Sequence, residues 1–448
     1  MNLGFETLGN ATLVFYDDQR PVLATDPWLI GTCYFGSWGL DRPLTPAEFD
    51  AVRRAGYVWI SHGHPDHLHG ESLALLSRET KFLLPEHYTG EIAEFVRGQG
   101  FPVEVMPYRE WRQLSPRLRC LSLDNENQDA ILVVEAGDCL ILNLNDSPLL
   151  GDRRFVRKLV RRYDRKKTYA AALCATDADM LNFVDHEGRR ITEPAEHYKP
   201  GTVWALARQI DRLGIGTYVC SSSQHTYIRS DSAWANPYRI TWADIERHWT
   251  RPEVRVLEPF VIVDLQSGEA TRKHPSQASD FGQVTNRTGI DNYDERLNET
   301  EWTELFDFFR QFETIHRYLD YLDFTVGGEQ RRLWINPSSE HKDQSRLRGI
   351  GFYAPRHSLC EVVKHGYFDD MMIGNFMKTE LHNTTLYPYF TPLVCKLGGT
   401  RKSTHGLNGA LFGDTIFAGI RLARSTGSCE RRPRNSSMLR AGLPTAPG

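Results

Sequence analysis

The sequence predicts an α+β fold in which stacked sheets are covered by helices. Three features point there: the first 30 residues hold paired apolar runs split by turn formers, later segments interleave strand-like and helix-like stretches, and the chain of 448 residues is long enough for more than one domain. Hydrophobic residues make up 40% and charged residues 25% of it, the balance of an ordinary soluble protein. A chain this long buries a core without disulfide staples. Lys plus Arg is 53 against 57 Asp plus Glu, a formal charge of -4, which argues against a general nucleic-acid binder. The eight cysteines form no CxxC pair, which suits reduced thiols in a cytoplasmic protein. The start has no basic segment followed by an apolar core, and no apolar run reaches about 18 residues, so neither a signal peptide nor membrane insertion is expected.

The elements follow in order. Phe5 to Phe15 reads as strand, as does Val22–Thr25, which ends at Asp26-Pro27-Trp28. Tyr57–Ser61 is a short apolar run between Gly56 and a histidine-rich loop, the pattern of a buried strand. Residues 68–78 and 91–97 are expected to be helical, with a strand at 81–84 between them. Ala130–Glu135 and Cys139–Asn143 form a hairpin about Ala136-Gly137-Asp138. A basic helix (155–162), a buried strand (170–175), a helix (203–213) and a strand (217–221) complete a first domain of residues 1–250. Residues 251–298 read as a connector, still strand-like over Arg251–Leu265 and polar and rich in turn formers over Ser267–Asn298. A smaller α+β module is expected over 299–400: a helix rich in Phe and Trp, a hairpin about Gly327-Gly328, a strand at 349–354, and helices over 358–365 and 368–381. Met371, Met372, Ile373 and Met377 fall at near-helical spacing and read as core. The basic, weakly apolar tail (401–448) is expected to be disordered.

The chemistry concentrates in Ser61-His62-Gly63-His64-Pro65-Asp66-His67-Leu68-His69-Gly70. A loop leaving the end of a strand turns alternate imidazoles to one point and presents Asp66 and His67 beside it. Imidazole and carboxylate are donors suited to zinc, iron or manganese. The segment resembles the metal-binding loop of the metallo-β-lactamase superfamily. The flanking stretches 25–29, 57–61, 142–146 and 220–225 resemble a narrower hydroxylase-like branch of it, over about residues 1–250. Residues 300–395 loosely resemble a sterol-carrier module.

The resemblance implies an αββα sandwich holding two divalent cations, zinc first and iron as the alternative. It implies His62 and His64 as ligands of one cation, Asp66, His67 and His225 as ligands of the other, and Asp146 as a bridging carboxylate. Asp26 would orient a ligand imidazole. A further histidine expected before Asp146 is missing from Leu123–Asp129, where Glu126 is the first candidate to replace it and Asn125 the weaker donor. That exchange makes the ligand set more negative and its bound water less acidic, and it favours iron.

The leading expectation is therefore a binuclear metal-dependent hydrolase of a small molecule, working through a metal-bound hydroxide that Asp66 orients and whose proton it relays. The alternative is a diiron oxygenase with Glu126 as ligand. A third is a non-catalytic protein that holds an apolar ligand in the C-terminal module. Trp38, in an aromatic loop, and Arg229, beyond His225, are the candidate substrate contacts, the arginine toward an anionic group. No Cys-x-His pair marks a Rieske iron–sulfur site anywhere in the sequence.

Overall fold

The computed structural model describes residues 1–125, 127–175, 178–273 and 291–396. Two sheets stack face to face. The first has eight strands in the order Ala270–Arg272, Val261–Asp264, Leu3–Gly9, Thr12–Asp17, Arg20–Thr25, Tyr57–Trp59, Lys81–Pro85 and Val103–Met106. The second has seven, Arg255–Leu257, Thr217–Cys220, Thr168–Ala172, Cys139–Asn145, Ala130–Ala136, Leu118–Asp124 and Arg112–Gln113.

Their strands are near-continuous apolar runs because both faces of each sheet are covered. Phe5, Phe15, Leu23, Trp59 and Leu83 of the first sheet meet Leu132, Val134, Ile141, Tyr169 and Val219 of the second in the central core. The alternate residues Val14, Ala24, Val58 and Phe82 turn outward under helices Pro46–Arg54 and Glu91–Gly98. Leu121, Val133, Leu142 and Tyr218 turn outward under helices Arg153–Val160, Ala195–Leu213 and Trp242–His248. The result is the expected αββα sandwich.

Several boundaries move. The sandwich continues to Arg272 rather than ending near residue 250, because Arg255–Leu257 joins the second sheet and Val261–Asp264 crosses to the first. There it lies so close to Leu3–Gly9 that a Cβ at Gly4 would collide with the Val263 carbonyl. The helix expected over 68–78 is one turn, Gly70–Leu73. Helix Ala195–Leu213 begins eight residues before Val203 and runs through Pro200. The helix expected over 368–381 stops at Ile373; Asn375 takes a φ of 58°, and Lys378–His382 is a strand beside Gly349–Tyr353. Cross-strand pairing there overrides the helical spacing of the methionines. The tail over 401–448 lies outside the described residues.

The C-terminal module is a five-stranded sheet, Phe183–Val184, Lys378–His382, Gly349–Tyr353, Tyr321–Val326 and Glu329–Trp334. Its first strand is lent by a loop of the sandwich. The rings of Phe309, Phe352, Phe368 and Phe390 fill its centre in mutual contact, together with Met371, Met372 and Met377. Among the described residues no helix is long and apolar enough to cross a membrane.

Candidate metal centre

The centre forms at the carboxyl end of the parallel strands Arg20–Thr25 and Tyr57–Trp59. Asp26 leaves the first of these with a φ of 41°, a conformation that turns its carboxylate back toward the histidine loop. Its Oδ1 accepts the Ser61 N–H at 2.7 Å, and its Oδ2 lies 3.3 Å from His67 Nδ1. Burial raises the Asp26 carboxyl above the ordinary range, with His67 pulling the other way. Asp26, expected to orient a ligand imidazole, thus stands beside His67. The histidine loop closes a tight turn in which the His67 and Leu68 N–H groups donate to the His64 carbonyl, at 3.0 and 2.8 Å. That turn brings the rings of His62 and His67 to 4.1 Å between centroids.

His67 is wholly buried, and its Nε2 points between two carboxylates, 3.4 Å from Asp66 Oδ2 and 3.3 Å from Asp146 Oδ2. These distances are short, yet their angles make no hydrogen bond to Nε2. Burial opposes a charge on the ring, but Asp66, Asp146 and Asp26 together hold its basicity well above the usual imidazole range. A positive charge is what this pocket of carboxylates attracts.

Asp66 is fixed from behind: Tyr34 donates to Oδ1 at 2.5 Å and the Asn10 amide to Oδ2 at 2.8 Å. Burial would raise its carboxyl, but His67 and these donors bring it below the ordinary value, so it stays ionised. Asp146 arrives from the opposite sheet. It follows Cys139–Asn145, whose register against Thr168–Ala172 shifts between Asn143 and Asn145, and its N–H donates to Asn145 Oδ1 at 2.6 Å. The donor atoms of His62, His67 and Asp146 all lie within 4.8 Å of one another.

His225 starts the short strand His225–Tyr227, paired with Trp38–Leu40, and its ring stacks on Trp38 at 3.4 Å and 3°. Both its nitrogens are buried without a hydrogen-bond partner among the described residues. Burial, then Arg239, holds its basicity well below the usual range, so the ring is neutral and offers a lone pair. Buried polar atoms left unmatched are rare because each forfeits its hydration. Here His67 Nε2, Asp146 Oδ1 and both nitrogens of His225 are such atoms. The imidazole and carboxylate donors that do converge, those of His62, His67 and Asp146, fit a divalent cation of the zinc or iron type.

His62, His64, Asp146, His225 and Trp38 line one cavity of about 530 Å³, and its far wall comes from the C-terminal module through Asp369, Ile373, Leu381 and Tyr387. Glu126 lies outside the described residues. Arg229 is elsewhere. Its guanidinium is bound by Asp231 and by Asp291 at 2.9 Å and lies over the Phe376 ring, so it pins the two modules together instead of facing a substrate. Its expectation rested on proximity to His225 in sequence, and opposing carboxylates claim it first.

Four participants escaped the sequence reading. Asn10 and Tyr34 hold Asp66; Asp129 lines the cavity; Asp369 Oδ2 lies 3.2 Å from His64 Nε2. Asp129 stands in the stretch where a ligand was expected. Tyr34 belongs to the aromatic loop read around Trp38, while Asn10 and Asp369 carry no local signal, since chain folding alone brings them in.

No family model matches the sequence. The chain is 22% identical over 400 residues to the cytidine monophosphate-N-acetylneuraminic acid hydroxylase of Asterias rubens, covering 79% of this chain and 59% of that protein. It is 30% identical over 139 residues to the Mus musculus protein of the same name, covering 29% of this chain and 23% of that one. The chain thus spans less than two thirds of the length of these relatives. Among solved structures, an isothiocyanate hydrolase from Delia radicum gut bacteria aligns with a TM-score of 0.39 at 15% identity, over 60% of this chain and 98% of that one. The metallo-β-lactamase fold protein YhfI of Bacillus subtilis aligns with a TM-score of 0.35 at 10% identity, over 58% and 97%.

Proposed function

We propose that the chain is a metal-dependent enzyme acting on a small molecule held where the sandwich meets the C-terminal module. The observation that carries this reading is the convergence of His62, His67 and Asp146 donor atoms within 4.8 Å, with His62 and Asp146 on the wall of the shared cavity. His62, His64, His67, His225, Asp66 and Asp146 would hold two cations, which supply Lewis acidity and make a bound water acidic near neutral pH.

The chain's own residues do the rest. Tyr34 and Asn10 keep Asp66 ionised and fixed in direction, so that it orients the attacking water and takes its proton. Asp26 holds the His67 ring by its Nδ1 side. Trp38 covers one face of His225 and keeps solvent from it. Leu150, Leu173, Met180, Leu181, Phe183 and Ile240 give the cavity apolar walls that suit the uncharged body of a substrate.

Hydrolysis is the reaction this arrangement supports best, because water is the only co-reactant it requires. Hydroxylation is the second reading, favoured by the 400-residue similarity to a hydroxylase; it also needs dioxygen and an electron donor. Metal analysis of protein purified without chelators, with anaerobic assays on ester, amide and phosphoester panels, separates the two. Zinc and anaerobic turnover support hydrolysis, whereas iron and reductant-dependent oxygen consumption support hydroxylation. Under either reading His67→Ala and Asp146→Ala lower metal content at least tenfold while circular dichroism stays that of the parent. Full metal content in both variants would remove the basis of the proposal.

A further inference from the structure

The histidines of the centre belong to the sandwich, but one of their polar contacts comes from the other module. Asp369 begins the short helix Asp369–Ile373, is 5% exposed, and places Oδ2 3.2 Å from His64 Nε2. The opposite nitrogen of that ring, Nδ1, lies 2.8 Å from His62 Nε2. His62 Nδ1 in turn lies 2.9 Å from Ser61 Oγ. An ionised carboxylate accepts hydrogen bonds and donates none. A carboxylate that accepts from Nε2–H leaves the Nδ1 lone pair of His64 turned toward His62.

We propose that Asp369 is a positioning residue of the metal centre, reaching across from the C-terminal module to hold His64 with Nδ1 open to the cation it shares with His62. The inference rests on the metal-dependent reading above and adds to it that the centre is built by both modules.

Asp369 is not a loosely placed carboxylate. The residue before it, Phe368, is fully buried in the ring cluster of its own module. The chain just beyond the helix is fastened to the sandwich by several bonds. Ser37 Oγ donates to the Gly374 carbonyl at 2.5 Å, and the Asn182 amide donates to the carbonyls of Asn375 and Met377 at 2.8 and 2.9 Å. The Asn375 amide donates back to the Ala178 carbonyl at 3.0 Å. These bonds fix where the helix stands against the histidine loop. A ligand imidazole whose second nitrogen donates to a carboxylate is locked in tautomer and orientation and is a stronger base toward the metal. Removing such a partner costs roughly 10–100-fold in metal affinity.

The test uses the full chain, stripped of metal and titrated with cobalt(II) and zinc(II) against a chromophoric chelator. Asp369→Ala is expected to weaken binding at one site by about 10–100-fold and to change the visible absorption of the cobalt form. Asp369→Glu is expected to restore both. Asp369→Asn keeps the shape of the side chain, serves if the alanine variant fails to fold, and is expected to give an intermediate loss. A merely structural aspartate would lower the unfolding temperature of the metal-free protein and leave the cobalt spectrum and both affinities as in the parent; that result overturns the inference. If the parent chain binds neither metal, the metal-dependent reading itself falls. If the parent binds two ions and the variants bind them equally well, only the role of Asp369 falls.

Discussion

Single side chains at the centre show what a sequence carries and what it leaves out. His62, His64, Asp66 and His67 are legible because six consecutive residues hold them, and a short loop can only present them together. Asp146 is legible through its place after the hairpin strand. Asn10 and Asp369 are not, because each becomes relevant only when an element far along the chain packs beside the loop. Arg229 shows the converse: its charge could be read, but not the two aspartates that absorb it.

Another buried charge makes a prediction at this scale. Glu48 is 6% exposed and receives both terminal nitrogens of Arg42, at 2.8 and 2.5 Å, and Lys273 Nζ at 2.8 Å. Burial would raise its carboxyl, but these cations and the Thr45 N–H lower it to about 2. A depressed carboxyl stabilises the fold above its unfolded value, and that contribution is lost as pH falls through the folded one. Glu48→Gln should therefore cost on the order of 2–3 kcal/mol at neutral pH. It should also flatten the decline of stability between about pH 4.5 and 2, as followed by urea unfolding at stepped pH.

At the level of elements, hairpins and buried strands were the readable parts. Ala130–Ala136 and Cys139–Asn145 turn on Gly137, whose φ of 60° suits a two-residue connection, and both strands lie within two residues of the expected limits. Segments whose conformation depends on a distant partner were not readable. Lys378–His382 is a strand because Gly349–Tyr353 stands beside it, and Phe183–Val184 becomes the edge of a sheet that belongs to another module. The early start of helix Ala195–Leu213 was hidden by Pro200, which ordinarily marks a boundary. The helix tolerates it because burial of Val203, Ala207, Ile210 and Leu213 against the second sheet holds the later turns. Pro200→Ala should return the missing N–H and raise stability by about 1 kcal/mol or more, read as a higher urea midpoint with an unchanged slope.

For the whole molecule, the meeting of the two modules matters most. It is held by Arg229, which is 1% exposed and reaches Asp231 and Asp291, while Asp291 also accepts the Ser358 hydroxyl and N–H at 2.6 and 3.0 Å. Truncating one partner of such a buried cluster strands the opposing charges and typically costs about 3–5 kcal/mol. Arg229→Ala is expected to lower stability by that order and to make the loop after Asp291 more open to limited proteolysis. Unchanged unfolding and cleavage would show that the modules do not depend on this contact.

The sandwich begins and ends in the same sheet, with Val261–Asp264 lying antiparallel to Leu3–Gly9. Anyone trimming the gene at residue 250, where composition suggests a natural boundary, would strip that cover away. Leu3–Gly9 would then offer a bare ladder of amide and carbonyl groups to any other molecule in solution, an invitation to intermolecular pairing. A cloning boundary placed after Lys273 keeps the seam closed.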